Sequence, residues 1–406
     1  MKNQNHRYER TLVSLFFLAW GFVFLDRLVI SFLFPIIVPE MNLSNAQVGQ
    51  IGFVTTAAFA LSAVVFGAMS DKSGLRKRWL VPLVFATALF TALCAFTQTF
   101  TQLMILRALV GVCEGPILPI MMSMLAQVSS ENKFGRNSGI VNGGVAIIGI
   151  FLGPIIVTQI AAVTNWQMSF LLVSLPTFIL AFALIKYTRE VEISPADKAL
   201  DEEGKAGGFF EALKYRNIVI CCLIAIVNMA GYWTLLLFAP LYWVNVGNIS
   251  VQNMGFMTSA MGLLGIVYAI LVPKLSDNFG RKPITIIFYI FCILPPLAMY
   301  FFPGAIPSIV IYLLFAGVAG GLGPIFMTLI PLETVPERLK ATSTGLIIGL
   351  GEVLGGGCIP HICRIHSRYQ RFAFHDACCR WSLFPGFSIQ FYIERISPWK
   401  NAFVIC

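Results

Sequence analysis

Apolar stretches of about twenty residues alternate with short polar connectors along most of the chain. Such a run, wound as a helix, crosses a hydrocarbon core of about 30 Å. The runs predict helices near 11–38, 47–70, 79–98, 102–127, 138–162, 167–187, 216–244, 253–273, 284–302, 306–331 and 341–357. One longer hydrophilic stretch, 188–215, carries Glu190, Glu192, Asp197, Asp201, Glu202, Glu203 and Gly207-Gly208. It reads as a solvated linker between an N-terminal half, 1–187, and a C-terminal half, 216–357. A small regulatory helix is the alternative.

Two connectors repeat one pattern. The first reads Gly67-Ala-Met-Ser-Asp71-Lys72-Ser73-Gly74-Leu75-Arg76-Lys77-Arg78, the second Lys274-Leu-Ser-Asp277-Asn278-Phe279-Gly280-Arg281-Lys282. In each, glycine follows aspartate by three positions and basic residues come next. The aspartates stand 206 positions apart. The repeat predicts an all-α integral membrane protein built from two pseudo-symmetric halves, normally six helices each, with about 11 spans recognisable.

Composition agrees. Hydrophobic residues make up 57% and charged residues 12%, against about a quarter charged in soluble domains. The net charge of +9 does not point to nucleic acid, because the positives cluster beside apolar spans. Connectors near 71–78, 129–136, 274–282 and 336–340 are basic, while those near 39–46, 98–101, 163–166, 245–252 and 303–305 hold no Lys or Arg. The positive-inside rule then puts the basic loops and the N-terminus in the cytoplasm of a multi-pass plasma or inner membrane protein. Met1 to Arg10 is polar and the first apolar run is too long for an h-region, so no cleavable signal is expected. Cys94, Cys113, Cys221, Cys222 and Cys292 lie inside expected spans and imply no disulfide framework.

Glycine pairs four apart, Gly139/Gly143, Gly149/Gly153, Gly317/Gly321 and Gly351/Gly355, suit close helix packing. Pro35, Pro116, Pro154 and Pro324 are candidate kinks.

The first loop resembles the G-x-x-x-D-x-x-G-x-[RK]-[RK] signature of the major facilitator superfamily, through Gly67, Asp71, Gly74, Arg76 and Lys77. The second copy keeps Asp277, Gly280 and Arg281 but has Pro273 for the first glycine. The resemblance implies the major facilitator fold. It also implies a gating role for Asp71 and Arg76, which in that family contact helix ends and hold the outward-open state. Purely topogenic charge is the alternative. Asp26-Arg27 with Ser31, and Arg107-Ala-Leu-Val-Gly111-Val-Cys-Glu114-Gly115, resemble the anion:cation symporter branch, which carries sugar acids and aromatic acids. There, a helix-1 arginine meets the substrate carboxylate and a helix-4 glutamate carries a proton.

The residues make their own case. A charge at mid-span costs about 2.5–3.5 kcal/mol on insertion scales, so four of them point to a wet cavity or to one another. Arg107 and Glu114, seven apart, share a helix face about 10 Å long. Asp26 and Arg27 set an acid and a base at one depth. We therefore expect Arg27 and Arg107 to contact an anion, and Asp26 and Glu114 to carry protons. An anion arriving at the arginine frees the carboxylate of its counter-charge, so that anion and proton load together. Structural ion pairs, Asp26 with Arg107 or Arg27 with Glu114, are the alternative. In the second half, Asn228, Tyr232 and Trp233 are candidates for substrate contact or for core packing. Glu352 is a further proton-coupling candidate, and Glu333 reads as interfacial.

No G-x-x-x-x-G-K-[ST] loop, H-E-x-x-H or nucleophile elbow occurs, so neither an ATP motor nor an enzyme is expected. No cofactor is expected beyond a coupling ion, read as H⁺, and the protein is expected to be monomeric. From Cys358 the composition changes. The last 49 residues hold five of the ten cysteines and three of the four histidines, with no run long enough to span. A shifted reading frame after about Gly357 explains this; a divergent tail is the alternative. The Cys358, His361, Cys363, His366 spacing matches no common zinc pattern. The function expected is proton-coupled uptake of a small organic anion by alternating access. The rivals are a proton-driven efflux antiporter, suggested by Gly149-Ile-Phe-Leu-Gly153-Pro154, and a transport-dead sensor or fragment.

Overall fold

The computed structural model describes residues 2–73, 75–129, 131–190, 211–335 and 337–358. The linker core and the anomalous tail, with its candidate metal ligands, lie outside them. Eleven helices account for the described chain: α1 (Lys2–Glu40), α2 (Asn45–Ser73), α3 (Arg76–Leu93), α4 (Phe100–Val128), α5 (Lys133–Val163), α6 (Trp166–Tyr187), α7 (Arg216–Asn245), α8 (Val251–Phe279), α9 (Arg281–Phe301), α10 (Ile306–Leu329) and α11 (Glu337–Leu350). Among the described residues, nine helices are long and apolar enough to cross a membrane. The 29-residue α2 and the shorter α11 complete the set.

All eleven expected spans are present as helices, but several run further than their apolar cores. The α8 helix passes through Pro273 and carries Asp277 within its last turns, where the sequence reading stopped at 273. Hydropathy marks the part of a helix that needs lipid, whereas backbone hydrogen bonding continues until a cap or glycine ends it. Here the stop is Gly280, whose φ of 91° is a left-handed value that a side chain would resist.

The 206-residue repeat is visible in three dimensions. Helix α5 contains a π-helical stretch at Val145–Leu152, and α11 runs on into another at Gly351–Cys358. Each end of one lies 206 positions from the same end of the other. Close packing repeats with the same offset. A methyl group added at Gly111 of α4 would strike the Thr55 carbonyl of α2, and one at Gly115 the Phe59 carbonyl. In the second copy Gly317 and Gly321 of α10 meet Met261 and Tyr268 of α8. Gly139 and Gly143 do not behave as expected. Among the described residues, no heavy atom outside its own turn lies within 4 Å of a methyl placed at Gly139, and Gly143 meets only the rim of Phe17. The close contact to α1 is made one residue on, by Gly144 against the Phe17 carbonyl.

Three apolar clusters fill the bundle. At the end away from the basic loops, one cluster joins helices from both copies, including Phe32 and Phe34 of α1, Phe170 of α6, Trp243 of α7 and Tyr312 of α10. The Trp243 and Tyr312 rings meet edge-on, 5.2 Å between centroids. At the basic end the clusters are separate. One lies within α1–α6 around Phe16, Trp20 and Met124, the other within the second copy around Phe288 and Phe326. A shared core therefore closes one end of the bundle, and divided cores face each other at the other.

Candidate functional site

Asp26 and Arg27 are adjacent on α1, and successive helical residues point about 100° apart. The two side chains accordingly diverge, and of the pair only Arg27 lines the cavity. Arg27 points toward α7. Asp26 turns into α1–α6 toward Thr177 and is fully buried. Arg107, Glu114 and Thr177 of α6 are among the polar groups around it.

Arg27 borders a small cavity lined also by Ser31, Thr56, Arg107, Trp233 and Gly356. Its guanidinium carbon lies 4.5 Å from the Phe59 ring centre and 4.6 Å from that of Trp233. One nitrogen stands 3.8 Å from Glu114 Oε1, and another donates to the Thr56 hydroxyl at 3.5 Å. The Glu114 contact is an ion pair without a hydrogen bond, since both Glu114 oxygens lack a hydrogen-bond partner. Such a pair gains little stability against the cost of taking both charges out of water. A carboxylate entering the cavity would therefore meet a guanidinium that is held by rings and charge but keeps unused donors.

Arg107 has another task. It is almost wholly buried and donates to two main-chain carbonyls of α1: Asp26 O at 2.9 Å, and Arg27 O. Neither the Asp26 nor the Glu114 carboxylate takes a hydrogen bond from it. The expected run of Arg107 and Glu114 along one face is present, with both side chains buried, yet Arg107 fixes α4 to α1 and only edges the cavity.

The second copy answers with rings. Counted by the repeat, Arg27 corresponds to Trp233, Asp26 to Tyr232, Glu114 to Gly320 and Arg107 to Leu313. Trp233 sits on the cavity and donates its indole N–H to Glu352 Oε2 at 3.1 Å. Tyr232 packs edge-on to Trp233, 6.2 Å between centroids. Asn228 is buried among α9 and α10. Its amide donates to the Ala319 carbonyl at 3.3 Å, and its oxygen accepts from the Tyr289 hydroxyl at 3.3 Å. That is the packing role named as its alternative.

The two repeated loops occupy the basic end. Arg76 is buried at the start of α3; the surroundings of Gly67, the Asp71 side chain and all of Gly74 lie outside the described residues. Beside Arg76, Glu190 accepts from the main-chain N–H of Lys77 at 2.8 Å and of Arg78 at 3.2 Å. Lys77 returns the contact to the Ile185 and Thr188 carbonyls, both at 2.7 Å. Each helix end thus receives the charge its unpaired backbone groups favour. In the second loop Arg281 bonds Asp277, Ser276 at 2.6 Å and Glu333 at 2.6 Å. Glu333, read as merely interfacial, is therefore the partner that ties α9 to the end of α10. Phe59 and Thr56 were also missed. Nothing in the sequence distinguishes them from the other Phe and Thr residues of apolar spans.

Comparison with known proteins gives a consistent picture. The Major Facilitator Superfamily family model matches residues 16–360. The chain is similar to a hexuronate transporter of Bacillus subtilis (strain 168), 26% identical over 276 residues, covering 67% of this chain and 65% of that one. It is also similar to a gentisate transporter of Corynebacterium glutamicum, 24% identical over 351 residues, covering 83% and 77%. Among solved structures, a bacterial homolog of the human lysosomal transporter Spinster, in an inward-facing and unoccupied conformation, matches with a TM-score of 0.75 at 18% identity. It covers 89% of this chain and 83% of that chain.

Proposed function

The chain belongs to the Major Facilitator Superfamily, and we propose that it carries a small organic anion across the membrane together with protons. The observation behind this reading is Arg27: a guanidinium at a cavity between the two copies, in loose ion-pair contact with the buried carboxylate of Glu114. Inward-pointing charges of this kind mark substrate and proton pathways in membrane proteins, and a site at the repeat interface suits alternating access. The names of two relatives, a hexuronate and a gentisate transporter, favour a sugar acid or an aromatic acid as cargo.

The proposed cycle follows from charge. With the cavity empty, Glu114 balances Arg27. A substrate carboxylate takes over the guanidinium, and Glu114, stripped of its partner, accepts a proton. The loaded site is then close to neutral and can pass the apolar barrier. We place the basic end in the cytoplasm by its charge bias. On that reading the shared aromatic cluster lies at the outer end.

Uptake by proteoliposomes, with hexuronates and hydroxybenzoates under an imposed pH gradient, tests the reading. Accumulation is expected for at least one acid and should vanish with Arg27→Ala. Gradient-driven export of organic cations with no acid uptake would favour the efflux alternative instead.

A further inference from the structure

The cleft between α3 and α6 on the outside of the bundle carries charge that the packing does not use. Phe85 of α3 meets Phe178 and Phe182 of α6 edge-on, with ring centres 5.2 and 6.2 Å apart, and Phe85 and Phe182 are exposed. Arg78 stands seven positions before Phe85, on the same face of α3 and about 10 Å nearer the basic end. Lys186 stands four positions after Phe182, again on one face of its helix and about 6 Å nearer that end. Both cations are exposed, and among the described residues neither side chain has an ion pair or a hydrogen bond. The Lys186 ammonium lies 5.4 Å from the ring centre of Tyr187, itself exposed. Main-chain contacts nevertheless fix the two positions. Lys77 bonds the Ile185 and Thr188 carbonyls, and Glu190 accepts from the main-chain N–H groups of Lys77 and Arg78. The start of α3 and the end of α6 are thereby pinned together, with a cation on each lip of the cleft. Counted by the repeat, Arg78 corresponds to Ile284, so the fold does not require a charge at this place.

We infer that this cleft binds an anionic phospholipid, its phosphate between Arg78 and Lys186 and an acyl chain along the rings of Phe85, Phe178 and Phe182. The order of groups along the cleft, cations first and bare rings deeper, is the order of a lipid's own parts. Basic side chains beside a span attract anionic headgroups, and aromatic rings such as Tyr187 suit the level of the headgroups. A zwitterionic lipid offers the same phosphate but brings a cation of its own toward two others. A soluble anion would leave the rings unused. A second copy of the chain packed on this face would cover two unpaired cations, which is costly without acids to meet them. The site is separate from the cavity at Arg27 and does not depend on the cargo.

The experiment titrates the full chain, purified in detergent, with dioleoylphosphatidylglycerol and with dioleoylphosphatidylcholine, and counts bound lipid by native mass spectrometry. The anionic lipid is expected to fill its first site at about a tenfold lower concentration. In the double variant Arg78→Gln, Lys186→Gln that ratio should fall to about threefold or less. A control pair, Lys214→Gln with Arg216→Gln, removes two exposed basic residues of the second copy and should leave the ratio unchanged. No preference in the unaltered protein, a preference that survives in the first double variant, or an equal loss in the control overturns the inference; the last would mean diffuse attraction to a basic surface. Glycerol phosphate, which has the phosphate without the tails, should not displace the lipid, and displacement by it would reduce the site to one for a free anion. A dimer that the anionic lipid disperses would assign the face to a second copy instead. If the first double variant does not fold, Lys186→Gln alone is read and should lose at least half of the preference.

Discussion

The guanidinium carbon of Arg27 lies 4.6 Å from the centre of the Trp233 ring, and these two residues occupy the same place in the two copies of the repeat. One position of the ancestral pattern has thus become a cation in the first copy and a π-face in the second, and the two meet across the bundle. Contacts of this type contribute about 0.5–2 kcal/mol, at the upper end when desolvated.

Arg27→Lys tests this relationship. Lysine keeps the charge but loses the planar group that lies over rings and presents a fork to a carboxylate. Uptake is expected to fall about tenfold or more, the equivalent of 1.4 kcal/mol, while the thermal midpoint in detergent stays close to that of the unaltered protein. Full uptake by the lysine variant would show that charge alone suffices.

Glu114→Gln removes the proposed proton carrier while keeping its shape. Counterflow exchange of labelled for unlabelled acid is expected to continue, and accumulation driven by a pH gradient to cease. Persistence of gradient-driven accumulation would assign the proton to another group, with Asp26 the next to examine.

Arg107→Ala is expected to act on the fold. It deletes both hydrogen bonds from a charged donor to α1, each contributing about 1.5–3 kcal/mol. A marked drop in thermal midpoint, against a small one for Arg27→Ala, is the expected result. Equal stability of the two variants would contradict the bracing role.

Glycine packing gives a paired test. Gly111→Ala would drive a methyl into the Thr55 carbonyl and should sharply reduce the yield of folded protein. Gly139→Ala meets no neighbour and should be neutral, or stabilising by up to about 1 kcal/mol through helix propensity. Size-exclusion profiles of the two variants decide the matter.

Much of the architecture was legible because lipid imposes a simple rule: about twenty apolar residues per crossing, with connectors sorted by charge. The offset between Asp71 and Asp277 also announced the duplication. Less legible was everything that depends on direction around a helix. Asp26 and Arg27 share a depth but not a face. Gly111 and Gly115, absent from the expected packing pairs, pack against carbonyls of α2, and their neighbours there carry no recognisable signal. Phe59 reaches Arg27 from α2, and Glu333 reaches Arg281 across 52 positions; both contacts arise only when helices distant in sequence lie side by side. The π-helical stretches had no signature at all until the coordinates showed them in matching register.

Arg107 also has a mechanical consequence. By gripping two consecutive peptide carbonyls of α1, it works as a strut between α1 and α4, so these helices should travel as one piece during any rocking motion. The two copies meet along a seam where Phe24 and Arg27 pack against Trp233. A strut anchored to peptide bonds is indifferent to which side chains evolve around it, so cargo preference can drift while the lever arm keeps its length.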